Sequence, residues 1–133
     1  MKYMMLIYRD EQDAEAQTPE HRQQTISAAW DVIEEAKRRG VLVGVSPLEP
    51  TSSATTIRRK DGKVLVSDGP FAESKEQLAG YYILECKDLD EAIGWAAKIP
   101  NCGGEKGSIE IRPLRDLPAR EQCLKQQDVA VNA

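Results

Sequence analysis

The stretch Val64-Leu65-Val66-Ser67-Asp68-Gly69-Pro70-Phe71-Ala72-Glu73-Ser74-Lys75-Glu76-Gln77-Leu78-Ala79-Gly80-Tyr81-Tyr82-Ile83-Leu84 decides how the chain folds. Two apolar, strand-like runs, 64–66 and 81–84, are held apart by a charged segment too long for a tight hairpin. Gly69 opens backbone conformations closed to other residues, and Pro70 fixes φ while removing an N–H. Together they predict a rigid corner. Such a corner beside Asp68, Phe71, Glu73, Lys75 and Glu76 suits polar side chains held still for binding. It equally suits a plain turn in which Asp68 bonds its own backbone.

Upstream of the corner, 54–59 and 63–66 flank Lys60-Asp61-Gly62, whose Asp-Gly pair signals a hairpin. Arg58, Lys60 and Lys63 make one side of it polar, which puts it near solvent. Val41 to Val45 is apolar without clean alternation, a strand suited to burial on both faces and ended by Pro47 and Pro50. Before it, Thr18-Pro19-Glu20 supplies an N-cap, a proline at the first helical position and an acid in the first turn. The spacing of Ile26, Ala29, Trp30 and Ile33 predicts a helix over 19–39 burying that stripe, closed by Lys37-Arg38-Arg39 and Gly40. Residues 2–8 form a first strand with Met4, Leu6 and Tyr8 on one face and Tyr3, Met5 and Ile7 on the other, followed by a charged loop from Arg9 to Gln17.

Downstream, 81–86 reads as a strand, and Asp88-Leu89-Asp90-Glu91 has capping-box spacing. A second helix is expected over 89–99, burying Leu89, Ala92, Ile93 and Ala96 and stopped by Pro100 and Gly103-Gly104. Ser108 to Pro113 alternates apolar and charged residues as a half-buried strand does. The domain therefore spans 1–115, and 116–133 is a polar tail with a short helix from about Pro118 and a mobile end over 128–133.

Strand, helix, strand, hairpin, strand, helix, strand is an α+β order. It is the ferredoxin-like split βαβ arrangement, an antiparallel sheet with one inserted β-hairpin. Two helices cover only one face of such a sheet, yet the first two strands are apolar on both. A second copy packed sheet on sheet is the economical cover, since a two-fold axis makes one patch self-complementary. A homodimer is expected, with Met5 and Val43 as positions where a charge should break it.

With 133 residues the chain fits one domain whose core needs no metal or disulfide. Its 22 acids against 18 bases, a formal charge of −4, disfavour direct nucleic-acid binding and anionic membranes. Cys86, Cys102 and Cys123 show neither zinc nor disulfide spacing, which fits a reducing cytoplasm. No metal, phosphate-loop or cofactor motif is present, because one histidine and scattered cysteines build no ligand set and Gly103-Gly104 follows a helix.

From Val66 to Tyr81 the chain resembles the DGPF-type branch of the YCII-related family. The resemblance extends from Met1-Lys2-Tyr3-Met4-Met5-Leu6-Ile7-Tyr8 through Ala54 to Arg58, Asp88 to Ala92 and Ala96 to Pro100, ending at Ile109-Glu110-Ile111-Arg112-Pro113. It implies a dimeric α+β barrel with a pocket between helices and sheet or within the barrel. It also implies a His and Asp pair at the active site, the Asp near Asp68. This chain departs from that pattern, because its single histidine, His21, falls in the first turn of the first long helix, where capping or solvation is the ordinary role.

Asp68 is the candidate general acid or base, if Phe71 and apolar neighbours desolvate it and Lys75 does not offset them. Tyr8, Phe71, Lys75, Tyr81 and Arg112 are candidate ligand-binding residues, although tyrosines also fill cores and Arg112 also suits cross-strand pairing. Two functions follow: a small-molecule binder near Asp68, with lyase or isomerase chemistry open, or a non-catalytic regulatory module. The resemblance implies the second through association with an alternative sigma factor.

Overall fold

Side-chain caps start the two long helices where the sequence places them. In the computed structural model, which describes residues 1–100 and 107–124, Thr18 accepts a hydrogen bond from the His21 N–H at 3.1 Å and starts α2 (Pro19–Arg38). Asp88 accepts from the Glu91 N–H at 2.9 Å and starts α3 (Leu89–Lys98). Gly40, at φ +69°, follows α2 in the left-handed conformation that glycine tolerates. One element was unforeseen. The segment read as a charged loop contains α1 (Glu11–Glu15), whose N-cap Asp10 accepts from Gln12 and Asp13. Five residues are too short for a periodicity to announce, so only the cap marked it.

The strands are β1 (Lys2–Arg9), β2 (Leu42–Pro47), β3 (Thr55–Lys60), β4 (Lys63–Asp68), β5 (Gln77–Glu85) and β6 (Ser108–Pro113). The main sheet runs β2-β5-β1-β6, antiparallel throughout. This is the ferredoxin-like order, with β3 and β4 forming a separate two-stranded sheet inserted between β2 and β5. Asp61 and Gly62 both take positive φ, at +52° and +75°, as a tight hairpin turn requires. Residues 120–124 are helical, in keeping with the start expected near Pro118. Cys102, the Gly103-Gly104 connection and 128–133 lie outside the described residues.

Both helices pack on the face of the sheet that carries Tyr3, Met5, Tyr82 and Leu84. Met5 is 0% exposed, so it is a core residue under the helices and not the interface probe expected from the sequence. The buried stripes also differ from the reading. On α2 the buried residues are Val32, Ile33 and Ala36, whereas Ile26 and Trp30 are about half exposed. The N-terminal half of α2 borders a cleft where contact with the sheet was expected. On α3, Trp95 joins Ala92 and Ala96 in the core, while Leu89 and Ile93 stay half exposed. Arg39 and Lys98 stand over the Trp95 ring at 5.5 and 4.8 Å, and Glu35 bridges both cations at 3.0 Å. The hydrogen bond from Lys98 holds the Glu35 carboxyl below its usual range, and the bridge ties α2 to α3.

Cys86 is buried, and burial pushes its thiol up, with the Glu91 charge adding to the effect. A thiolate is the reactive form, so a thiol held protonated by burial is expected to be inert. In a Cys102→Ser, Cys123→Ser protein, a thiol reagent at mildly alkaline pH should label Cys86 only at the rate of unfolding. Stoichiometric labelling of the native protein within minutes would contradict this.

Candidate functional site

The cleft that displaces Ile26 and Trp30 from the core has a volume of about 590 Å³, within the size range of small-molecule sites. Its floor is the helix face of the sheet, from Ile7, Val45, Gly80 and Tyr82. One wall is α2, from Arg22 through Thr25, Ile26, Ala29 and Trp30 to Ile33. The mouth is framed by Arg9, by Glu11 and Glu15 of α1, and by the segment Pro47-Leu48-Glu49-Pro50. Apolar walls with a few charged groups at the mouth fit a ligand with an apolar body and one polar end.

Local hydrogen bonds build this mouth. Glu11 accepts from the Thr51 N–H and from the Thr51 hydroxyl, both at 2.8 Å, and its own N–H donates to Gln77 Oε1 at 3.0 Å. These bonds clamp α1 against β5 and against the short 3₁₀ turn Thr51–Ser53. The Leu48 N–H donates to the Ala79 carbonyl at 2.8 Å, which carries the β2–β5 pairing past the end of β2. Glu11→Ala should cost about 1–2 kcal/mol, since hydrogen bonds to a charged acceptor are lost at a partly buried site. Limited proteolysis should then cut within 47–53 first. An unchanged melting temperature together with an unchanged cleavage pattern would remove the clamp role.

Gly80 narrows the floor. A Cβ at this position would lie 2.9 Å from the Ser46 carbonyl oxygen and 3.2 Å from Pro47 Cα, so glycine alone permits this approach of β5 to β2.

The residues singled out from the sequence lie in two other places. Tyr8, Tyr81 and Arg112 stand on the opposite face of the sheet, where Leu6 pairs with Tyr81 and Met4 with Arg112. Asp68, Phe71 and Lys75 are at the exposed corner after β4. That corner is fixed as expected: Gly69, at φ +91°, donates its N–H to the Ala54 carbonyl at 2.7 Å. The Thr56 hydroxyl donates to the Gly69 carbonyl at 2.7 Å, and Arg58 donates to the Phe71 carbonyl at 3.1 Å. Phe71 is 75% exposed, so within a single chain it does not desolvate Asp68. None of these six residues lines the cleft, and neither does His21, which is exposed at the start of α2.

The sequence reading missed Arg9, absorbed into a charged loop, and Gly80, embedded in a strand. A glycine between apolar strand residues is itself a sign of close backbone approach. Nothing local marked Arg9. Among the described residues no cluster of three or more His, Cys, Asp or Glu could hold a metal ion, and no helix is long and apolar enough to cross a membrane.

Known proteins resemble this chain over nearly its whole length. The YCII-related domain matches residues 1–118. An uncharacterised protein of Rhizobium meliloti is 40% identical over 114 residues, covering 86% of this chain and 92% of that protein.

Proposed function

The chain belongs to the YCII-related domain family, and from that premise we propose that it is a homodimeric small-molecule-binding protein whose ligand occupies the cleft between α2 and the sheet. The cleft itself carries the reading. Its apolar walls leave Trp30 and Ile26 half exposed, an arrangement with no packing benefit to the isolated chain.

Dimerisation is supported by the other sheet face. Met4 pairs with Ile83 and Leu6 with Tyr81 there, and all four are only half buried, outside the core under α2 and α3. The hairpin presents a second stripe, because Ile57, Val64 and Val66 share one face with Asp68 and all three are more than half exposed. A partner over that stripe would desolvate Asp68 together with Phe71. That is the route by which Asp68 would become a proton-transfer group, and lyase or isomerase chemistry belongs to this dimer-dependent part of the proposal. The same exposed stripe favours a second reading, a regulatory module that docks another protein.

Native mass spectrometry of the untagged protein tests the first reading. A dimer with a reproducible small-molecule mass is expected, and Ala29→Trp, which fills the cleft, should yield a bare dimer. If Ala29→Trp retains the ligand, the site is elsewhere. If the wild-type dimer is bare and instead captures one protein partner stoichiometrically, the regulatory reading takes its place.

A further inference from the structure

We infer that the cleft selects a monoanionic ligand, a carboxylate on an apolar body, and that Arg9 is the residue that holds its charge. This rests on the proposed binding role of the cleft and adds the ligand class. Arg9 ends β1 at the cleft mouth, half buried, with its Nε shut off from water. That Nε has no hydrogen-bond partner, and Arg9 forms no ion pair among the described residues. With Nε enclosed and no side-chain partner among the described residues, the guanidinium keeps its terminal N–H groups for a ligand at the mouth, and a cationic fork of this shape is met best by a carboxylate.

The neighbouring charges set the valence. Glu11 is engaged with Thr51, the exposed Glu15 and Glu49 also line the cleft, and Arg22 adds a second cation from α2. Three acids beside two arginines leave the mouth with no surplus of positive charge, which disfavours dianionic phosphate esters and leaves the direct contact with Arg9 to hold a single carboxylate. The body of the ligand then lies along Ile26, Trp30, Val45 and Tyr82, away from the charged mouth.

Displacement of a neutral fluorescent reporter, phenylnaphthylamine, tests this with two competitors of one shape: naphthoate and its neutral carboxamide. The wild-type protein should prefer the acid by at least about tenfold, the worth of one charge-assisted hydrogen bond. Arg9→Gln should erase that preference while leaving reporter affinity within about twofold and the melting temperature unchanged or raised, since an unsatisfied buried group is removed. Arg9→Lys, which keeps the charge without the fork, should retain part of the preference. Equal displacement by acid and amide in the wild type, or a preference surviving in Arg9→Gln, overturns the inference while the cleft reading stands. Reporter that fails to bind the wild type, or that binds Ala29→Trp equally well, overturns the cleft reading and this inference with it.

Discussion

Ile83→Lys should convert the proposed dimer into a folded monomer at micromolar concentration. Ile83 lies on a central strand, opposite Met4 on one side and Gly44 on the other, in the middle of the sheet face turned away from α2 and α3. Because β5 pairs with β1 in unbroken register from Gly80 to Glu85, the Ile83 side chain points away from the core formed by Tyr82 and Leu84. The substitution therefore leaves the packing of the single chain intact. In a two-fold sheet-on-sheet dimer it buries two unpaired ammonium groups close to the axis. An uncompensated buried charge costs about 3–5 kcal/mol, so the dissociation constant should rise by roughly a thousandfold or more. Sedimentation velocity reads the mass, and circular dichroism checks that the fold survives. A variant still sedimenting as a dimer would place the interface on another surface, the hairpin stripe first. A wild-type protein already monomeric at that concentration would end the dimer proposal. Val43, exposed at the β-bulge of β2, remains a useful second probe, whereas a charge at Met5 would unfold the protein and report nothing on assembly.

Gly80→Ala should lower stability by about 1–3 kcal/mol, the usual cost of forcing atoms into a packed site. With the atom spacing described above, the added methyl must displace backbone, which yields less readily than a side chain. The melting temperature should fall by roughly 5–10 °C for a domain of this size. The displaced segment is Ser46-Pro47, part of the cleft mouth, so ligand affinity should fall with stability. Gly94→Ala is the matched control. Gly94 is exposed within α3 with nothing near its added Cβ, and alanine there should gain up to about 1 kcal/mol of helix propensity. Calorimetry on the pair gives opposite signs if local geometry governs. If both substitutions destabilise, the close approach at Gly80 is not the cause.

The features legible in the sequence are those whose cause lies within a few residues. The N-caps Thr18 and Asp88 act on backbone N–H groups three positions away, Asp61-Gly62 adopts its turn from its own conformational freedom, and Gly69 supplies the positive φ of its corner. Such signals fix element order, and element order admits few topologies, so the ferredoxin-like sheet followed.

What only the tertiary structure decided is which face each residue uses. Ile26 and Trp30 fall on the apolar side of α2, and periodicity assigns them to the core. They line a cleft instead, because α1 and the segment Pro47–Pro50 frame an open mouth between that half of the helix and the sheet. Arg9 became a candidate only when β1, β5, α1 and α2 met around it, since desolvation of a guanidinium depends on residues distant in sequence. Asp68 shows the converse. Its corner is fixed as the sequence predicted, by its glycine and by bonds to the neighbouring β3 segment, but burial needs a covering surface, and within one chain that corner faces solvent. The sequence by itself determined the elements and their order, through interactions between near neighbours. The site was decided by packing among segments up to about ninety residues apart, for which a single sequence carries no local sign.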